Sequence, residues 1–306
     1  MRTHGTAITA LASLWLGLAP DASFADAAPI ATYQFQDTLD PAEPKVPPLA
    51  LVDPIKQSHF EDADVFGSVR RVLRLDGETD PSLQAGLVFD SNGLLSPSSY
   101  SIELIFSFDG ESGWRRIVDV LSRTSDTGFY VNPQSTLGIY PVIGGPAIFT
   151  AGEFHHVVLT ISPLKDDPTQ STAVAYLDGV EQLRAVTDLL NIDGSGLVYL
   201  FLDNNQGPAQ TEFSDSRIAL ARFYNASLTD AEVLALYQSF VPPPSCPGDI
   251  NGDRVINTTD LTLLLLRFGE TAAPGSPAAA ADLNADGVVN TSDLVLFLSR
   301  FGNACP

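Results

Sequence analysis

A repeat near the C-terminus constrains this chain more than any other feature. Residues 248–269 (GDINGDRVINTTDLTLLLLRFG) and 281–302 (ADLNADGVVNTSDLVLFLSRFG) are identical at 13 of 22 positions, at an offset of 33. Each copy opens with oxygen donors at loop positions 1, 3, 5, 9 and 12. These are Asp249, Asn251, Asp253, Asn257 and Asp260 in the first copy, and Asp282, Asn284, Asp286, Asn290 and Asp293 in the second. Alternating donors point into one concavity, and the carbonyl of Val255 or Val288 can fill position 7. A hard cation such as Ca²⁺ takes about six to eight oxygens in this way. Zinc would ask for Cys or His, and neither occurs within the loops.

A helix is predicted after each loop. Leu261, Leu264, Leu265 and Phe268 fall at i, i+3, i+4 and i+7, and Leu294, Phe297, Leu298 and Phe301 repeat the stripe. Neither helix can bury such a stripe alone in so small a unit, so the two are expected to pack on each other. Cys246 and Cys305, the chain's two cysteines, bracket the repeat and can form one disulfide. A loop and a helix, given twice and without the entering helix of an ordinary EF-hand, resemble the type I dockerin family over nearly all of 246–306. The resemblance implies docking onto a cohesin-like partner through loop positions 10 and 11 and neighbouring helix positions. Those positions are Thr258 and Thr259, then Thr291 and Ser292. Arg254 departs from the family pattern, in which Gly is usual. A left-handed backbone there costs a non-Gly residue roughly 1 kcal/mol or more, so the first loop is expected to bind calcium more weakly.

Residues 1–25 read as an export signal. Arg2 supplies the positive start, Ala7 to Leu18 form an apolar core of twelve residues, and small residues at Ala25 and Ala27 suit cleavage. That core falls short of the roughly 20 apolar residues a membrane span needs, and no later segment reaches that length. The mature protein is expected to be secreted, where a Cys246–Cys305 disulfide is chemically sound. A net charge of −21 leaves nothing to neutralise phosphates, which argues against nucleic acid and anionic membranes as partners.

Composition shifts at Val241-Pro-Pro-Pro-Ser245, a stiff spacer, so a linker is placed at 241–245 between domains at 28–240 and 246–306. A second Pro/Ala/Gly-rich stretch, Thr271 to Ala280, separates the two copies. The first domain is β in character. Tyr100, Ile102, Leu104, Phe106 and Phe108 share one face by period-two alternation. Val157 to Ile161 and Leu197 to Leu202 are further apolar runs, and Asp178-Gly179 joins two strand-like runs as a hairpin turn. Many short strands separated by Gly, Asp and Pro favour a sandwich over a βαβ fold. Thr229-Asp-Ala-Glu232 is a capping box opening a helix through Tyr237.

The closing segment Ser216–Tyr237 resembles the laminin-G-like, concanavalin A-like jelly-roll family. Tyr33-Gln-Phe35, Gly152 to Leu159 and Tyr176-Leu-Asp-Gly179 fit that family in order, over roughly residues 28–240. Relatives often carry acids just after the Ile of the closing strand, where this chain has Ala219 and Leu220, which puts a metal site there in doubt. Fold class is therefore mainly β: a jelly-roll β-sandwich followed by a small α-helical dockerin-like module with two EF-hand-like loops.

Catalysis has a weak sequence signal. Retaining glycoside hydrolysis needs carboxylates about 5 Å apart, and the glucanase pattern Glu-x-Asp-x-x-Glu is absent. Asp62-Ala-Asp64 reads as a solvated acidic loop, and His155-His156 as packing or surface residues on a strand. Asp203-Asn204-Asn205 and Asp215 could form a polar ligand rim. The sequons at Asn225, Asn257 and Asn290 read as coincidental, since two of these are the calcium donors above. The leading expectation is a secreted, non-catalytic binding protein whose sandwich engages a glycan or glycoprotein. The alternatives are an extracellular polysaccharide-degrading enzyme and a structural surface protein.

Overall fold

The computed structural model describes residues 28–110, 113–140, 144–204, 212–241, 246–272, 278–284 and 286–305. The expected export signal and the prolines of the expected linker lie outside these residues. In chain order, the first strands are β1 (Ala31–Tyr33), β2 (Ala50–Val52), β3 (His59–Val65), β4 (Ser68–Leu75), β5 (Gly86–Asp90), β6 (Tyr100–Phe108) and β7 (Arg115–Asp119). Then come β8 (Gly128–Val131), β9 (Leu137–Tyr140), β10 (His155–Leu164), β11 (Asp167–Leu177), β12 (Val180–Thr187), β13 (Leu197–Leu200) and β14 (Ser216–Tyr224). The helices are α1 (Asp230–Phe240), α2 (Thr258–Leu266) and α3 (Thr291–Arg300).

The strands form two antiparallel sheets, as a sandwich requires. The larger runs β12-β11-β10-β6-β14-β4-β3, with β1 also on β14; the smaller runs β2-β5-β13-β7-β8-β9. Asp178 (φ 51°) and Gly179 (φ 78°) both take the left-handed conformation that a type I′ hairpin demands. Between the sheets lies one large apolar core, in which Phe89 and Phe223 stack with centroids 4.0 Å apart.

All nine residues of β6 are buried, including Ser101, Glu103, Ile105 and Ser107, which point away from the core. The reason is α1, which lies over the outer face of the larger sheet and packs Val233 and Leu236 against Val158, Val174, Tyr176 and Tyr224. Thr229 caps this helix with the reciprocal Glu232 bond, and the helix runs to Phe240, three residues past Tyr237. The covered face holds Glu103, which takes hydrogen bonds from Tyr224 Oη (2.5 Å) and Arg222 Nη1 (3.4 Å) and meets His156 Nε2 at 3.1 Å. Burial pushes the Glu103 carboxyl up, but His156, Arg222 and Tyr224 outweigh it and hold the group below its ordinary value.

Asp62 and Asp64 correct the loop expectation. They lie in β3, an edge strand paired along its length with β4. Edge position explains the weak pattern, because among the described residues one side of β3 has no neighbouring strand and its acids can remain hydrated. Asp62 accepts from Arg71 (3.4 Å), and Asp64 accepts the Gly67 N–H of the β3–β4 turn (2.7 Å).

In the C-terminal unit the two repeats pair reciprocally. The first loop bonds to the segment after α3 (Ile256 N–H to Asn303 O, 3.0 Å; Gly302 N–H to Ile256 O, 2.8 Å). The second bonds to the segment after α2 (Gly269 N–H to Val289 O, 2.7 Å; Val289 N–H to Glu270 O, 3.0 Å). Ile256, Leu264, Val289 and Phe297 make the shared core, with Leu261 and Leu294 packed against it. The expected stripe is therefore half right. Leu265 and Leu298 are 52% and 54% exposed, and Phe268 and Phe301 are also exposed. The reciprocal loop pairs, with Ala278 and Ala281, supply the apolar partners that those residues were expected to provide.

Candidate functional site

Each loop of the C-terminal unit is folded around its last acid. Asp260 Oδ1 accepts the N–H groups of Ile250 (2.8 Å) and Asn251 (3.0 Å), and Oδ2 accepts that of Asn257 (3.0 Å). Asp293 does the same for Leu283 (2.8 Å), Asn284 (3.1 Å) and Asn290 (2.8 Å). Loop positions 9 and 12 double as the N-cap and third residue of the following helix. Asn257 and Asn290 accept from Thr259 and Ser292 as N-caps, and Asp260 and Asp293 complete the capping boxes. One set of side chains thus starts each helix and gathers its loop.

The carboxylates converge. In each of the triads Asp249–Asp253–Asp260 and Asp282–Asp286–Asp293, one oxygen per residue lies within 4.8 Å of the others. Amide hydrogens lie among these oxygens: Asn251 Nδ2 donates to Asp253 (2.8 Å), and Asn257 Nδ2 to Val255 O (3.1 Å). Asn284 and Asn290 repeat this toward Asp286 (2.8 Å) and Val288 O (3.0 Å). Hydrogen bonds from Asn251 and Asn284, then from the N–H of Val255 and Val288, hold Asp253 and Asp286 below the ordinary carboxylate range. A set of carboxylate, amide and carbonyl oxygens around one space fits a hard divalent cation. At loop position 6, Arg254 takes φ 66° where Gly287 takes φ 88°.

Thr258, Thr259, Thr291 and Ser292 are exposed in the first turns of α2 and α3. Seven residues on from Thr258 and Thr291, on the same helix faces, stand the exposed Leu265 and Leu298. Cys246 and Cys305 form a disulfide across 59 residues of sequence. The Cys305 N–H also donates to Arg254 O (2.9 Å), so the chain end is held against the first loop.

The sandwich residues singled out from the sequence take structural positions. His155 accepts the Thr150 N–H at Nε2 (3.0 Å), which leaves the Nδ1 proton for Asp178 (2.8 Å). Ala219 and Leu220 are buried and apolar. Asp215 accepts the Gly77 N–H (2.9 Å) and faces Arg74 at 3.8 Å. Asp203 and Asn204 do not form an exposed rim, because both are fully buried; Asn205 lies outside the described residues.

Sequence reasoning missed what surrounds Asp203. Arg116 is buried and faces Asp119 (2.5 Å), Asp203 (3.5 Å) and Glu212 (3.3 Å), with its guanidinium 4.8 Å from the Tyr130 ring centre. Burial, then the hydrogen bond and charge of Asp203, push the Glu212 carboxyl up to about 7, while Arg116 and Tyr130 pull it back. Burial also raises Asp119. The one available signal was an arginine pair opening the apolar run Ile117-Val118.

A comparison with protein families matches residues 82–234 to the concanavalin A-like lectin/glucanases superfamily and residues 247–300 to the dockerin type I domain. No curated protein matches the chain. Among solved structures, it is similar to domain 4 of AbnA, an extracellular GH43 arabinanase from Geobacillus stearothermophilus. That likeness has 18% identity and a TM-score of 0.51, covering 70% of this chain and all of that domain. The binding domain of botulinum neurotoxin DC (12% identity, TM-score 0.46) is covered over 52% of its length by 69% of this chain. Trypanosoma rangeli sialidase (15%, 0.41) is covered over 29% by 60% of this chain. The matched sandwich takes up half the sequence, so the chain belongs to the concanavalin A-like lectin/glucanases superfamily and carries a C-terminal dockerin type I domain.

Proposed function

We propose that this is a secreted, non-catalytic binding protein that attaches a glycan-binding sandwich to a cohesin-like partner through a calcium-loaded dockerin. The observation that carries the reading is the pair of converging acid triads beneath exposed first turns. Asp249, Asn251, Asp253, Val255 O, Asn257 and Asp260 would hold one ion, and Asp282, Asn284, Asp286, Val288 O, Asn290 and Asp293 a second. Bound calcium supplies positive charge that offsets carboxylate repulsion. The residues themselves order the loop and start the helix, and this fixes Thr258, Thr259, Thr291 and Ser292 on an exposed face. Leu265 and Leu298 continue that face as apolar contacts, of the kind that anchors an interface centre. For the sandwich, support comes from the arabinanase domain, which has the same fold and is seen with arabinotriose.

The test is capture of a cohesin-like partner by the full chain in Ca²⁺ and in EGTA. Docking should require calcium and weaken at least tenfold in the Leu265→Ser/Leu298→Ser double variant. Both side chains are already exposed, so the fold should survive. Equal capture with and without calcium would refute the reading.

A further inference from the structure

The outer face of the smaller sheet carries side chains that core packing does not explain. In β7–β9 the core takes Ile117, Val118, Phe129, Val131, Leu137 and Ile139, a bulge between Arg116 and Val118 turning both Ile117 and Val118 inward. Trp114, just before β7, and Arg116, Tyr130 and Tyr140 alternate with that set and take the opposite face. Trp114 meets Tyr130 and Tyr140 edge-on, with ring centroids 5.3 and 5.4 Å apart. Tyr130 is buried, Trp114 is half-buried, and Tyr140 is 39% exposed. Glu212 joins this row: its backbone carbonyl accepts the Arg116 N–H (2.9 Å), and its side chain is 18% exposed. At Gly128 an added Cβ would lie 3.0 Å from Val118 O and 3.2 Å from the Tyr130 ring, so Gly keeps this contact from crowding Tyr130.

Backbone strain gathers beside Asp119 and Asp203 of the Arg116 cluster. Ser122 and Arg123, in succession, take φ 57° and 56°, and Phe201 takes φ 64°. The Asp119 carboxylate holds the first two by accepting the N–H groups of Leu121 and Arg123 (2.9 Å each), and Arg123 Nε donates to Asp203 O. Non-Gly residues hold such angles at roughly 1 kcal/mol or more each, and they do so where the surroundings over-determine them, often at ligand sites.

We propose that this face is the sugar site of the sandwich: Trp114 and Tyr140 receive the apolar face of a neutral sugar ring, and the Glu212 carboxyl hydrogen-bonds its hydroxyls. The proposal rests on the glycan-binding reading above and adds the site and the ligand class. Partly exposed aromatic rings beside a polar group suit a ligand that has both an apolar face and hydroxyl groups. A carboxyl that titrates near neutrality both donates and accepts, which suits hydroxyl groups. Neutral sugars fit because the whole chain carries −21, so uronic acid chains meet like charge. Asp119 and Asp203, the other carboxyls against Arg116, are fully buried and so do not form an exposed hydrolytic pair with Glu212.

The test is affinity electrophoresis of the exported full chain in arabinan, xylan, mixed-linkage β-glucan and polygalacturonate, with tryptophan fluorescence alongside. Once the first 25–27 residues are removed Trp114 is the sole tryptophan, so its emission reports this face directly. Retardation by at least one neutral polysaccharide is expected, with a shift in emission. Trp114→Ala, Tyr140→Ala and Glu212→Ala should each weaken it tenfold or more, while Glu212→Gln should stay within about threefold. Val69→Ala, at a 77% exposed position on the other sheet, should bind as wild type. Wild-type affinity in both aromatic variants would overturn the site and leave glycan binding standing. No retardation by any neutral polysaccharide would overturn both, and preference for polygalacturonate would overturn the ligand class.

Discussion

Replacing Glu212 by Gln should flatten the loss of sandwich stability between pH 5 and pH 8. In the folded chain this carboxyl titrates near 7 against an ordinary 4.5, because it is buried beside Asp203. A folded-state pKa above the unfolded one means that the folded state binds the proton more tightly. The contribution is therefore complete below about pH 4.5 and is lost as pH rises through 7. Each unit of difference corresponds to about 1.4 kcal/mol, so the full displacement is worth about 3.5 kcal/mol, and partial solvent access lowers it to about 2–3 kcal/mol. Asp119 and Asp215 are raised as well, so part of the slope will persist in the variant. Glu103 and Asp193 are lowered; they lose stability only as pH falls below the ordinary carboxylate range, outside this window. Gln keeps the acceptor for Arg116 and a donor for Asp203 and carries no charge at any pH. The assay is urea unfolding at fixed saturating calcium, followed by Trp114 emission, which reports the sandwich. Wild type should lose about 2–3 kcal/mol more than Glu212→Gln between pH 5 and pH 8. Parallel slopes in the two proteins, or a wild-type stability that rises with pH, would refute the burial argument.

Three further outcomes follow from the C-terminal unit and the N-terminus. Asp293→Ala should reduce calcium-dependent helical signal in the full chain more than Asp260→Ala, because Arg254 at φ 66° already burdens the first loop by roughly 1 kcal/mol; equal losses in titrations with EGTA and Ca²⁺ would remove the asymmetry. Reducing Cys246–Cys305, which closes 59 residues, should lower the stability of the unit by up to about 4 kcal/mol, visible as an earlier helical melting transition in dithiothreitol. Mass spectrometry of the exported chain should find a start within a residue or two of Ala25 to Ala27, and an intact Met1 would contradict export by this signal.

The loops were readable from the sequence because local chemistry determines them. Positions 9 and 12 of each are the N-cap and third residue of a helix, so the spacing of Asn257 and Asp260 carries two agreeing signals. The hairpin at Asp178-Gly179 was readable for the same reason, since the left-handed pair requires residues that tolerate it. The stripes on α2 and α3 misled because periodicity names a face but not its neighbour. Loop pairing through Ile256 and Val289 already covers Leu264 and Phe297, and it leaves Leu265 and Leu298 outside.

The Arg116 cluster had no such route into a sequence reading. Its acids stand 3, 87 and 96 positions from the arginine; the pairing of β7 with β13 brings up Asp203, and the bond from the Arg116 N–H to Glu212 O brings up Glu212. Burying Arg116 and the neighbouring Arg123 against three carboxyls is costly unless every group finds a partner. A well-packed apolar set would serve stability as well or better, so stability alone does not account for this arrangement. The same region adds strained residues at Ser122, Arg123 and Phe201 and partly exposed aromatic rings at Trp114 and Tyr140. A buried ionic base beneath an aromatic surface fixes side chains at one geometry, which a ligand site needs and a space-filling sheet does not. For that reason the outer face of the smaller sheet, rather than the acidic edge strand or the buried histidines, is where ligand recognition by the sandwich should be sought.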